Sequence, residues 1–342
     1  MGHRSTSFWT IALLGLAAIG CDGTTDPDDA ERFAELSAVA AGPGRIVAVG
    51  GWWWGTEGVL PGSDSLLIAS SGDGVTWETA TPTARGHLND VTYGGGRFVA
   101  VGQLHENREG PSVSAPRLYT SADGREWQAV ANPPDLRFRS VTFGAGRFVA
   151  VGIDPATLLT AIATSPDGSV WTETAVADYY SAMVTFGNGA FVLWGEHGSV
   201  GVSADGVNWE VVAVDSVNAI SEIAYVNGVF LGSGRYDCCF GEIPGQVLHY
   251  DLTSPDGRAW TVRRRAEPAQ FFAGFAFGSG RLVAHGAYEL FVSSDGVAWR
   301  RTREADDFFS DVIYANGAFI VVGRQVLRSI DGEAWTATSY QP

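Results

Sequence analysis

The chain carries 22 basic and 38 acidic groups over 342 residues, a formal net charge of −16, and every basic group is an arginine. An acidic surface of that size argues against a nucleic-acid partner and favours solubility. Forty-four glycines and twelve tryptophans point to a chain built from turns and packed aromatic rings.

Residues 1–20 have Arg4 near the front and an uncharged apolar run from Phe8 to Ile19. That run is short for a bilayer span and has the shape of an export signal. Ala18-Ile19-Gly20-Cys21 resembles a bacterial lipobox, with Ala18 where Leu is commoner; the resemblance implies cleavage before Cys21 and lipidation of its thiol. An ordinary secretory signal is the alternative. Residues 21–34 open with CDGTTDPDDAE, an acidic, small, Pro-containing stretch that reads as a solvated tether reaching at most ~40 Å. No glycine-centred ligand spacing makes it a metal loop.

From residue 35 to 342 two phrases alternate. The first is S-x-D-G-x-x-W, with its aspartates at Asp73, Asp123, Asp167, Asp205, Asp256, Asp295 and Asp331. The second is typified by Val91 to Gly102 (VTYGGGRFVAVG) and also recurs seven times, with its turn glycine at Gly44, Gly96, Gly146, Gly189, Gly228, Gly280 and Gly317. Apolar residues two apart, a glycine turn and a near-continuous apolar run read as a β-hairpin. Joined, the phrases give strand A, glycine turn, strand B, a connection of variable length, strand C, the S-x-D-G turn and strand D opening on Trp. Four antiparallel strands with 36 to 51 residues from one motif aspartate to the next match the period of a propeller blade. The predicted fold is all-β, a seven-bladed β-propeller of four-stranded antiparallel blades.

S-x-D-G-x-x-W resembles the Asp-box, or BNR, repeat of sialidase-like propellers, and lacks one residue between Asp and Gly relative to the usual S-x-D-x-G-x-T-W. The resemblance spans roughly residues 35 to 340. It implies the turn and the fold and leaves function open, because such propellers include hydrolases, receptors and assembly factors. A sialidase would also bring an arginine triad, a Tyr–Glu pair and an early R-I-P; the nearest approach is Arg45-Ile46 followed by valine.

The A–B and C–D turns share one face of a propeller, so length variation falls on the other, which is the face to search. The long B–C connections there carry Trp52-Trp53-Trp54, His105, Glu106 and Arg108, and Tyr236, Asp237 and Glu242. Three exposed tryptophans would form a stacking platform or a partner anchor, against the alternative that they cap the rim. Further ionisable candidates are Glu196, His197, His285, Asp306 and Asp307, each also readable as a solvated loop residue. Cys238-Cys239 allows a strained vicinal disulfide or two partly buried thiols. Arg263-Arg264-Arg265 reads as charge protecting an outermost strand from edge pairing. The sequence holds no G-x-S-x-G, H-E-x-x-H or Walker loop, and no cofactor or metal is expected. These readings add up to an exported, lipid-anchored propeller at the bacterial cell envelope, binding a protein or glycan without catalysis. The alternative is a sialidase-like glycoside hydrolase or lyase using carboxylates of the same face.

Overall fold

The computed structural model describes residues 31–55, 62–80, 84–104, 116–177, 183–195, 198–237, 247–265, 271–338 and 340. Blade 1 comprises β1 (Glu31–Gly42), β2 (Arg45–Gly55), β3 (Gly62–Ser71) and β4 (Glu78–Ala80); blade 2, β5 (His87–Gly94), β6 (Arg97–Gln103), β7 (Pro116–Ser121) and β8 (Gln128–Ala129). Blade 3 is β9 (Arg137–Gly144), β10 (Arg147–Ile153), β11 (Thr160–Ser165) and β12 (Thr172–Ala177); blade 4, β13 (Met183–Gly187), β14 (Ala190–Trp194), β15 (Ser199–Ser203) and β16 (Glu210–Ala213). Blade 5 is β17 (Ala219–Val226), β18 (Val229–Asp237), β19 (Val247–Ser254) and β20 (Thr261–Arg264); blade 6, β21 (Gly274–Gly278), β22 (Arg281–His285), β23 (Glu289–Ser293) and β24 (Arg300–Glu304). Blade 7 is β25 (Phe309–Ala315), β26 (Ala318–Gly323), β27 (Leu327–Ser329) and β28 (Thr336–Ala337). Every blade is a four-stranded antiparallel meander in chain order, so the predicted seven-bladed propeller is the fold. The first strand starts at Glu31, inside the stretch read as tether.

The glycine of each A–B hairpin takes positive φ, as does the residue before it in six blades (Gly95, Ala145, Asn188, Asn227, Ser279, Asn316). Two successive positive φ values define the type I′ turn, whose twist suits a hairpin. Pro43 in blade 1 cannot adopt positive φ, and only Gly44 does so there.

The second turn is equally regular. In all seven copies the serine Oγ accepts from the glycine N–H at 2.8–2.9 Å. The aspartate Oδ1 meanwhile accepts from the next two N–H groups at 2.8–3.0 Å. Four tryptophans close the loop by donating Nε1–H to the glycine carbonyl (Trp127, Trp171, Trp209, Trp260). The glycine also fixes blade spacing: a Cβ on Gly124, at φ +75, would lie 2.7 Å from Val47 Cγ2 of the preceding blade.

The apolar residues form seven clusters, each joining two successive blades. A repeated edge-on aromatic pair supports them, as in Tyr93–Phe98 and Phe143–Phe148, both with centroids 4.8 Å apart. The motif tryptophans cover these clusters rather than vanish into them. Trp77 is 8% exposed, and the other six are half-buried.

No strand is exchanged between blades 1 and 7. The seam instead closes through a shared core that includes Leu36, Ile46, Ile320 and Val322. Two long-range hydrogen bonds reinforce it: Val39 N–H donates to Asp311 Oδ2 at 2.9 Å, and Asn316 Nδ2 donates to the Gly72 carbonyl at 3.1 Å. Among the described residues the ring thus closes by packing between its first and last blades.

Candidate binding face

Strand A enters and strand B leaves at the end of the blade opposite the glycine turns, so the loop-rich face is built from those strand ends and the connections beyond them. The tryptophan triplet is part of the ladder there. Trp52, Trp53 and Trp54 continue β2, pairing with Ala34, Phe33 and Arg32 on one side and, for Trp53 and Trp54, with Ser63 and Gly62 on the other. Trp52 is half-buried and packs on the seam core. Tyr236, 43% exposed, and Asp237 end β18, opposite Leu248 and Val247. Blades 1 and 5 are not neighbours in either direction, so the structure places Trp52 and Tyr236 at separate points of the rim. His105, Glu106, Arg108, Glu196, His197, Glu242, Cys238, Cys239 and Cys21 lie outside the described residues.

Beside the tryptophans the seam carries a cluster that the sequence did not reveal. The Arg324 guanidinium, just past β26, lies 4.2 Å from the Phe33 ring centroid and 5.6 Å from that of Phe308. It also pairs with Asp307 at 3.5 Å, whose other oxygen accepts from Gln325 Nε2 at 3.1 Å. Glu35 sits one turn of the ladder deeper. Burial pushes its carboxyl up to about 7, and the Arg324 charge offsets part of that rise. A cation stacked on two rings and flanked by two carboxylates, at the mouth of a blade interface, gives this surface both apolar and charged character. Asp307 is thus a partner of Arg324, and Asp306 is exposed.

Two sequence readings need correction. His285 is not on the loop-rich surface: it ends β22 with no exposure, in the place where the repeated phrase has valine. Its Nδ1 bonds the Gly286 carbonyl at 2.9 Å, and burial pushes its pKa down to about 4, leaving the ring neutral. The arginine triplet is not simply an edge guard either. Arg265 is 9% exposed, donates to Asp251 and stacks 4.0 Å from the Phe272 centroid of blade 6. Asp251, itself 5% exposed, takes a second arginine, Arg263. The pair pins blade 5 to blade 6. Arg264 and Arg263 are exposed on the outer strand, Arg263 while pairing with Asp251.

Nearer the axis, the residue just before the second phrase of each blade forms a ring: Ala38, Asp90, Ser140, Met183, Glu222, Gly274 and Asp311. Four members reach across or along the ring. Asp90 Oδ2 accepts from Ser140 Oγ and Val141 N–H, both at 2.8 Å. Ser140 Oγ in turn accepts from Val184 N–H at 3.4 Å, and Asp311 accepts from Val39 as above. Glu222 accepts from its own neighbour, Ile223. Burial raises all three acids, Asp90 to about 6, Asp311 to about 7 and Glu222 well above its usual range, and mutual repulsion adds to the last two. Asp90 and Asp311 latch one blade to the next, so two of the three ring carboxylates are occupied in holding the blades together. Among the described residues no three acidic, histidine or cysteine side chains converge to ligate a metal directly.

The fold has solved counterparts. The chain is similar to YCF48 from Cyanidioschyzon merolae (14% identity, 74% of this chain and 84% of that one, TM-score 0.51). It is also similar to Saccharomyces cerevisiae Sqt1 (8% identity, 90% and 85%, TM-score 0.55) and to the Neurospora crassa Pan2 WD40 domain (8% identity, 90% and 90%, TM-score 0.56). No family model matches the sequence, and no curated protein matches it. At such identities the likeness establishes the β-propeller fold, and that alone.

Proposed function

We propose that this chain is an exported propeller, held at the bacterial cell envelope by lipid on Cys21, that serves as a non-catalytic docking module for a protein partner. The S-x-D-G-x-x-W turns are the Asp-box element of that module and serve its frame. The observation that carries the reading is the Arg324–Phe33–Phe308 cluster beside the Trp52–Trp54 ladder. Aromatic and arginine side chains are the groups that anchor protein interfaces, and here they gather where the blades cease to be alike. WD40 propellers among the structural counterparts make a scaffold role the natural use of such a face.

The test is capture of a defined partner from envelope fractions by the wild-type chain, compared with Arg324→Ala and Trp53→Ala. Loss of the same partner in both variants, with thermal unfolding unchanged, supports the reading. Retention in both defeats it, as does turnover of a glycan panel that disappears in Glu35→Gln. Anchoring is tested separately: Cys21→Ser should move the protein from the membrane to the soluble fraction.

A further inference from the structure

The guanidinium of Arg324 is held in place with its hydrogen-bonding capacity unused. It lies over the Phe33 and Phe308 rings, 4.2 and 5.6 Å from their centroids. Rings attract the charge but offer no oxygen, so its five N–H donors stay free for one. The charged group within reach is Asp307, at 3.5 Å, well beyond the roughly 2.7–2.9 Å of a charge-assisted N–H···O bond. Among the described residues Arg324 therefore makes an ion pair and two ring contacts but no hydrogen bond. Arg301 on blade 6 shows the contrast: it bonds Glu289 at 2.7 Å and reaches Glu304 at 3.1 Å, so its fork is filled.

The surroundings limit what can occupy the Arg324 fork. Asp307 keeps its second oxygen on Gln325 Nε2 at 3.1 Å and so offers the guanidinium one oxygen rather than two. Glu35 feels the Arg324 charge, but burial raises its carboxyl to about 7, and at pH 6 it holds its proton. Asp306 is exposed next to Asp307. Beside two ionised aspartates a dianion such as a phosphate meets more repulsion than a monoanion does, which favours a carboxylate. Phe33 and Phe308, both half-buried, favour a carboxylate carried next to an apolar side chain.

We propose that Arg324 is the subsite for a carboxylate of the partner, gripped at both oxygens by the planar fork, with an apolar neighbour of that carboxylate resting on Phe33 and Phe308. A guanidinium matches the two oxygens of a carboxylate in a way that a single ammonium does not. Asp307 would give up its one long contact and stay bonded to Gln325. This inference rests on the docking function proposed above and names the chemical group by which the partner is held.

The experiment is nuclear magnetic resonance titration of the isotopically labelled full chain at pH 6, read at the backbone amides of Phe33, Phe308 and Gln325. The probes are acetyl-glycyl-phenylalanine with a free C-terminal carboxylate, acetyl-aspartyl-phenylalanine amide with a side-chain carboxylate, and acetyl-glycyl-phenylalanine amide with neither. At least one acid should bind about tenfold tighter than the neutral amide. Preference for the first acid assigns the subsite to a chain terminus, and preference for the second to an internal acidic residue. Arg324→Lys keeps the charge without the fork and should reduce the preference to below about threefold, with Tm unchanged. Equal binding of the three probes overturns the proposal, as does a preference undiminished in Arg324→Lys. Loss of an envelope partner from Arg324→Ala, together with equal binding of the probes, would leave the docking function standing and remove this inference alone.

Discussion

The two ends of the blades have opposite characters. At the turn end seven copies of one arrangement recur, Asp Oδ1 holding two N–H groups and serine holding a third, with distances that agree to a few tenths of an ångström. At the loop-rich end, apart from the latch that Asp90 and Asp311 share, the described contacts differ from blade to blade: blade 7 stacks Arg324 on Phe33, blade 5 buries an Asp251–Arg265 pair, and blade 3 holds Asp154 against Thr157 and Ala156. Repetition belongs where every blade must meet its neighbour in the same way. Departure from it marks a side chain with a particular task, which is either to strengthen one interface or to meet something outside the molecule.

The largest expected effect breaks the simple form of that contrast, because it falls at the variable end. Arg265→Ala would leave Asp251 buried with only the more exposed Arg263, and loss of a partner from a buried ion pair costs about 3–5 kcal/mol. Denaturant unfolding should show a lower midpoint with little change in slope. Asp167→Ala, at the repeated end, removes an ionised acceptor of the Ser169 and Val170 N–H groups. Hydrogen bonds to charged groups contribute about 1.5–3 kcal/mol, and exposure of this turn places the loss toward the lower part of that range. The same substitution at Asp123 should cost a similar amount; a marked difference would mean that the seven turns are alike in geometry and unequal in energy.

This contrast also explains what could be read from the chain alone. The turns were legible because their physics is local: an aspartate two and three residues ahead of the N–H groups it binds, and a glycine at positive φ, leave their marks within seven residues. The site was not, because its members are distant in sequence. Phe33 and Arg324 come from opposite ends of the chain and meet only when blade 7 closes on blade 1. Other signals were present and pointed elsewhere. His285 stands where the phrase Val-Ala-Val-Gly repeats, which marks a core position, and Asp90, Glu222 and Asp311 share one register, just before the second phrase of their blades. Strand alternation likewise puts Arg263 and Arg265 on one side and Arg264 on the other.

The pH dependence of stability separates the turn end from the axis. The turn aspartates are held below their usual range by backbone N–H groups, so their contribution is present above the ordinary carboxylate range and is lost as pH falls below about 4. Glu35, Asp90 and Asp311 are raised to about 7, 6 and 7, and Glu222 further. Their folded forms hold protons that the unfolded chain has released, so stability falls as pH rises from about 4 through those values. Thermal unfolding should therefore show a maximum in mildly acidic solution and a decline of several degrees toward pH 8. Asp311→Asn keeps an acceptor for Val39 N–H and should flatten the upper limb; a decline unchanged in that variant would place its origin away from the axis.

The smallest effect on stability should come from the residue on which the proposed docking depends most. Arg324 is exposed, its bridge to Asp307 is a surface pair worth about 0–1 kcal/mol, and its stacking on Phe33 adds about 0.5–1 kcal/mol at such a site. Removing it also relieves part of what holds Glu35 down, so the Glu35 carboxyl should titrate at higher pH in Arg324→Ala. Melting temperature should then move little while partner binding is lost, the reverse of Asp167→Ala, where stability drops and the distant face keeps its shape. If Arg324→Ala instead destabilised the chain as much as Arg265→Ala does, the cluster would be a second interface pin, and the variable end would be explained by the ring alone.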